Sequence, residues 1–73
     1  MTTERIEAPI TGTVISIEVK AGDKIEEGDV ILYIESMKME NPIMAPANGT
    51  ITEVSVSEGQ VVETGVNLAT LEY

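Results

Sequence analysis

The chain has 73 residues, with 13 acidic against 4 basic side chains for a net charge of −9, and it contains no cysteine and no histidine. That composition leaves room for one domain, 1–73, and excludes disulfides, thiolate or imidazole metal sites, and Ser-His or Cys-His catalysis. The acidity opposes binding to nucleic acid or anionic membrane, both of which need cations against phosphate. Its plainest role is solubility, and its sharper one is steering toward a basic groove on a partner protein. The longest apolar run, Val30 to Ile34, is too short to span a membrane. Met1-Thr2-Thr3-Glu4-Arg5 lacks the basic-then-apolar order of a signal peptide, so a soluble cytoplasmic protein is expected.

Taken in order, short Val/Ile-rich runs alternate with glycine turns, which reads as all-β with no helix. Glu4 to Ala8 is the first predicted strand, stopped by Pro9. Thr13 to Val19 is the second, with Ile15, Ile17 and Val19 on one face. Val14 has the wrong parity for that face, as Ile51 has against Val54 and Val56. A bulge, or a strand bending between two sheets, explains both. Gly22 and Gly59 mark matching turns that ask for positive φ. Lys24-Ile25 and Val61-Val62 leave room only for very short strands. Val30 to Glu35 and Val66 to Glu72 are apolar enough to lie in the middle of sheets. Glu40 to Ala45 is a further strand, ended by Pro46.

The chain repeats itself. Ala8-Pro9 and Gly12-Thr13 return as Ala45-Pro46 and Gly49-Thr50, an offset of 37 positions (45 − 8). Gly22/Gly59, Glu26/Glu63, Gly28/Gly65 and Glu35/Glu72 keep the same offset, as do the apolar pairs Val14/Ile51, Ile25/Val62, Ile31/Leu68 and Ile34/Leu71. A unit this small cannot bury its own apolar face, so the two copies must share one core. Two intertwined four-stranded units around an approximate two-fold axis would do so as a flattened barrel or sandwich.

Between the copies lies Glu35-Ser36-Met37-Lys38-Met39-Glu40. The only available turn there is Ser36-Met37-Lys38-Met39, although two-residue hairpins favour Asn-Gly or Gly-X. Residue type alone would make Met37 and Met39 core filling and Lys38 an ordinary solvated lysine. Their joint position at the centre of the repeat, where local turn chemistry is broken, points to function instead. Glu35 and Glu40 could be read as catalytic carboxylates. Surface recognition or solubility is the better reading, because no acid, base or electrophile constellation surrounds them.

The segment from Glu35 to Glu40 resembles the biotin-attachment motif of biotinyl carrier domains, in which Met-Lys-Met surrounds the modified lysine. The resemblance extends over essentially the whole chain. It takes in Ala8-Pro9 with Gly12-Thr13-Val14, the pattern from Val19 through Gly22-Asp23 and Ile25 to Gly28-Asp29, and Pro46 with Gly49. It is nearest to the small free-standing biotin/lipoyl attachment proteins. The fold it implies is a flattened β-barrel or sandwich of two four-stranded antiparallel sheets with an internal pseudo-two-fold repeat. It implies covalent biotin on the ε-amine of Lys38, Met37 and Met39 as flanking recognition residues, and Glu35 and Glu40 as candidates for recognition by a biotin protein ligase. The modified lysine would then be a swinging arm, carrying a carboxyl group between a biotin carboxylase and a carboxyltransferase. Those partners are expected on separate chains, the domain itself being a carrier and not an enzyme.

The chain departs from the biotinyl pattern at Ser36, where alanine or valine is usual. Glu-Ser-x-Lys is similar to the lipoyl-lysine setting of the glycine-cleavage carrier, whereas the Asp-Lys-Ala of dehydrogenase lipoyl domains is absent. Glu18 to Asp23 is too short for the thumb inserted in some bacterial biotin carriers. A lipoyl carrier, with lipoyl-Lys38 in acyl or aminomethyl transfer, is therefore the alternative. An unmodified interaction domain is the third reading.

Overall fold

Every regular element of the computed structural model, which describes residues 1–73, is a strand. The strands are β1 (Thr3–Glu7), β2 (Gly12–Ile17), β3 (Lys24–Ile25), β4 (Val30–Ser36), β5 (Met39–Met44), β6 (Gly49–Val54), β7 (Val61–Val62) and β8 (Asn67–Glu72). They form two antiparallel four-stranded sheets, ordered β1-β8-β6-β3 and β5-β4-β2-β7. Each sheet draws two strands from each half of the chain, so neither half could complete a four-stranded sheet without the other. Replacing every strand of the first sheet by its repeat partner generates the second sheet in the same order. The expected all-β sandwich with a pseudo-two-fold repeat is thus what the chain forms. β4 and β8 lie mid-sheet as their apolar runs required, with β2 and β6 beside them.

Hydrogen bonds between the halves come in two-fold pairs. Gly22 N–H donates to Ile51 O at 2.7 Å, and Gly59 N–H to Val14 O at 2.6 Å. Ala8 and Ala45 each bind the opposite half twice. Their N–H groups reach Val66 O and Asp29 O at 2.9 and 2.8 Å, and their carbonyls accept from Gly65 and Gly28 at 2.8 and 2.9 Å. Thr64 N–H donates to Thr11 Oγ1 at 3.2 Å, matched by Glu27 N–H to Asn48 Oδ1 at 2.7 Å. The turns that make these bonds need left-handed backbone, and Gly22 and Gly59 supply it at φ 99° and 91°.

The core is wholly apolar. It comprises 15 buried residues, led by Val14, Ile31, Leu32, Ile34, Ile51, Leu68 and Leu71, with no polar or charged side chain among them. Burying each such side chain contributes roughly 1.5–3 kcal/mol. The parity anomaly is resolved by bulges. The β2–β4 register shifts between Val14 and Ser16, and the β6–β8 register between Ile51 and Glu53. The face expected for β2 needs correcting in consequence. Val14 is fully buried, Ile17 and Val19 pack against the core from its edge, and Ile15 sits in the bulge half-exposed, outside the packed cluster. The bulge adds one residue, so the core face changes parity within the strand. β2 also ends at Ile17, two residues earlier than expected, and Glu18 N–H continues to Ile31 O at 2.8 Å.

The molecule measures 36 × 17 × 17 Å. One end holds the β4–β5 hairpin. β1 runs from the other end toward it, where β2 begins opposite Glu35. At that other end Tyr73 N–H donates to Thr2 O at 2.8 Å, and Thr2 N–H returns the bond to Tyr73 O. The Tyr73 hydroxyl donates to Glu4 Oε1 at 2.7 Å; that bond, with the nearby charge of Glu4, raises the phenol above the ordinary 10.0.

Gly12 and Gly49 begin the matching strands β2 and β6 where no side chain fits. A Cβ on Gly12 would lie 2.4 Å from Glu35 O and 2.7 Å from Ile34 Cγ2, and one on Gly49 2.5 Å from Glu72 O. Gly12→Ala is therefore expected to destabilise the fold by about 3 kcal/mol, the upper range for forced overpacking. Gly49→Ala should cost a similar amount by urea denaturation; a loss under about 0.5 kcal/mol in either would contradict this packing.

Candidate functional site

The site is built from the end of the β4–β5 ladder. Tyr33 faces Pro42, Ile34 faces Asn41, Glu35 faces Glu40, and Ser36 faces Met39, which leaves Met37 and Lys38 as the two turn residues. Both have positive φ, 54° and 65°. This is the primed geometry that matches the right-handed twist of the flanking strands, normally made by Asn-Gly. Each non-glycine residue held there costs roughly 1–2 kcal/mol. Asn41 braces the strained turn from below, its Nδ2 donating to Ile34 O at 3.2 Å and to Met39 O at 3.1 Å. Asn41 is a residue that the Met-Lys-Met motif alone does not single out. The signal was present in the repeat, because its partner position holds Glu4 (41 − 37), and the two halves differ there in both charge and hydrogen-bonding capacity.

Lys38 is exposed. So are Met37, at 91%, and Met39, at 66%, which overturns the core-filling role that residue type alone would assign them. Two thioether side chains in solvent gain nothing from burial, and they lie on both sides of the amine. Glu35 and Glu40 are also exposed and stand directly opposite each other across the ladder. Like charges so placed are mildly destabilising. No ion pair within 4.0 Å relieves them, and none forms anywhere in the molecule.

Lys38 is also alone at its end. Lys24 pairs with Thr50, which pairs with Glu72, so it lies beside the chain termini. Lys20 lies in the turn that leads into β3, its N–H donating to Asp23 Oδ2 at 3.0 Å. The equivalent positions near the hairpin are Ser57 (20 + 37) and Val61 (24 + 37), and the position answering Arg5 is Pro42 (5 + 37). A protein approaching the hairpin end therefore meets one primary amine, with no competing lysine. Chemically, this arrangement offers an accessible nucleophile held by two strands and framed by two soft apolar side chains.

Residues 4–71 match the family described as Biotin-requiring enzyme. Among curated proteins, 39 residues are 54% identical to glutaconyl-CoA decarboxylase subunit gamma of Acidaminococcus fermentans, covering 53% of this chain and 27% of that one. A stretch of 42 residues is 45% identical to biotinylated protein TB7.3 of Mycobacterium bovis, covering 58% of this chain and 59% of that one. The match thus spans less than two thirds of either relative. Among solved structures, urea carboxylase of Kluyveromyces lactis superposes with a TM-score of 0.91 at 28% identity, over 99% of this chain and 6% of that one. A single-chain, multi-domain long-chain acyl-CoA carboxylase gives 0.88 at 31% identity, over 93% of this chain and 7% of that one.

The strain at the tip has a measurable consequence. Met37→Gly relieves one left-handed side chain at the cost of a more flexible unfolded chain. It is expected to raise stability by about 0.5–1 kcal/mol in urea denaturation. A loss of stability would show that the exposed methionine contributes to the fold after all.

Proposed function

The chain belongs to the Biotin-requiring enzyme family, and from that premise we propose that residues 1–73 act as a biotin carrier domain with Lys38 as the attachment point. The observation that carries this reading is the hairpin itself, in which a lone exposed lysine occupies a strained turn between two exposed methionines. Glycine at Met37 or Lys38 would build the turn at lower cost, so the side chains are kept there for something other than folding. The relatives named as biotinylated protein and as carboxylase or decarboxylase subunits support biotin as the group attached.

Loading is amide formation at Lys38 Nζ. A biotin protein ligase supplies the carboxyl group in activated form, and the free-base amine attacks its acyl carbon. The C–N bond forms, the leaving group departs and the nitrogen gives up a proton to solvent. Exposure at the tip gives Nζ access, and the ladder from Tyr33 to Ser36 fixes where it is presented. When attached, biotin supplies the ring that carries the carboxyl group. The chain contributes the tether, which holds that ring at high effective concentration near each active site it visits. Those active sites belong to a carboxylase and a carboxyl-transferring partner on other chains. Met37 and Met39 offer them adaptable apolar contact on either side of the arm.

The lipoyl reading keeps the same lysine and exchanges the group, on the strength of Ser36 two residues before it. Both readings are tested by incubating the chain with ATP, biotin and a biotin protein ligase, in parallel with lipoate and a lipoate ligase. Intact mass is expected to show one biotinyl group on the wild type and none on Lys38→Arg, with Lys20 and Lys24 left unmodified. Incorporation retained in Lys38→Arg would sink the assignment, and lipoylation alone would move the function to acyl or aminomethyl transfer.

A further inference from the structure

The pseudo-two-fold repeat sets a recognition problem. The two sheets share one topology, yet only one end carries the reactive hairpin. One rung of each sheet can be compared residue by residue. On the hairpin side the registers align Glu40, Glu35, Thr13 and Val61 across β5, β4, β2 and β7. On the terminal side they align Thr3, Glu72, Thr50 and Lys24 across β1, β8, β6 and β3. These are the same four positions, related by the offset of 37 (40 − 3, 72 − 35, 50 − 13, 61 − 24).

The inner two positions are identical in type, glutamate and threonine, and carry no information about which end is which. All the difference lies at the edges, where Glu40 replaces Thr3 and Val61 replaces Lys24. Val61 is 68% exposed while Val62 beside it is 2% exposed, so Val61 stands on the outer face. An exposed valine on a two-residue edge strand adds nothing to the core, and a charged residue fills the same place in the other half. Glu40 creates a like-charge pair with Glu35 that the other half avoids. Both edge choices therefore run against local stability or solubility, and both lie on the rung two residues from the turn. The rung spans three strand spacings, roughly 14 Å.

We propose that Glu40 and Val61 are the residues by which the ligase that loads Lys38 tells the hairpin sheet from its pseudo-symmetric twin. This deepens the carrier reading and rests on it. The unpaired carboxylates of Glu35 and Glu40 fit a cationic group on the ligase, as complementary charge relieves their repulsion. Val61 fits an apolar contact at the far edge, and the whole rung is continuous with the hairpin that must enter the ligase active site. Lys24 at the equivalent position would place a cation where the apolar contact is made. It would also offer a second amine.

The test exchanges the edge residues between halves and measures ligase kinetics on the 73-residue chain with biotin and ATP. Val61→Lys and Glu40→Thr are each expected to lower kcat/KM about tenfold, chiefly through KM, with thermal stability not lowered, because both sites are exposed and Glu40→Thr removes a like-charge pair. Glu40→Thr should also flatten the decline of the loading rate with salt. Lys24→Val, on the other half, should load as wild type does. Wild-type kinetics in folded Val61→Lys and Glu40→Thr would overturn the proposal while leaving the carrier reading intact. So would normal loading combined with failed carboxyl exchange, since that assigns the rung to the carboxylase. A wild-type chain that the ligase does not load would overturn the carrier reading itself and this proposal with it.

Discussion

The structure depends on the mutual pairing of two halves that cannot fold separately. Each half contributes two strands to each sheet, and the turns of one half donate to the backbone of the other. The paired bonds of Gly22 to Ile51 and Gly59 to Val14 express this constraint directly. A chain of 73 residues has little core to offset the entropy of ordering its backbone. Interlocking lets the inward-facing apolar residues of both copies serve one core, which explains why all 15 buried residues are hydrophobic and belong to a single cluster. The steric demands at Gly12 and Gly49 arise within each half, where β2 and β6 begin against the ends of their sheet neighbours β4 and β8.

A symmetric scaffold then isolates one asymmetric feature. Both ends of the molecule close with equivalent pairs, Ser36 with Met39 at the ends of β4 and β5 and, 37 positions away, Tyr73 with Thr2 just beyond β8 and β1. At one end the pairing lies between the chain termini, through Thr2 and Tyr73. At the other the chain continues through Met37 and Lys38, and the continuity forces both into left-handed backbone. The lysine is thus held rigidly enough to be presented in one place and remains open to solvent. On the proposed reading its chemistry would be supplied from outside, by the group attached to it, and the sheet below would determine which partner reads it. Charge follows the same division, with Lys20 and Lys24 both placed at the end opposite the hairpin.

Much of this is legible in the amino-acid sequence. The 37-residue repeat predicted the intertwined sheets, because a repeat that cannot bury its own face has to share one. The anomalous parity of Val14 and Ile51 predicted the bulges, although the face was assigned wrongly. A one-residue bulge flips parity, and which residue is extruded depends on the partner strand, through the Ile34–Tyr33 register that sequence does not contain. The tip was legible because a turn without glycine stood out in a chain that uses glycine at its other turns. The brace from Asn41 and the outward valine at Val61 were not. Both depend on cross-strand neighbours, and comparing the two halves position by position would have marked each as a mismatch.

The most direct measurement is intact mass and peptide mapping of the protein isolated from its own cells. A biotinyl group on Lys38, with Lys20 and Lys24 bare, is the expected result. A bare Lys38 in cells whose biotin ligase is demonstrably active would contradict the central claim, and would leave the fold as an interaction surface without its arm.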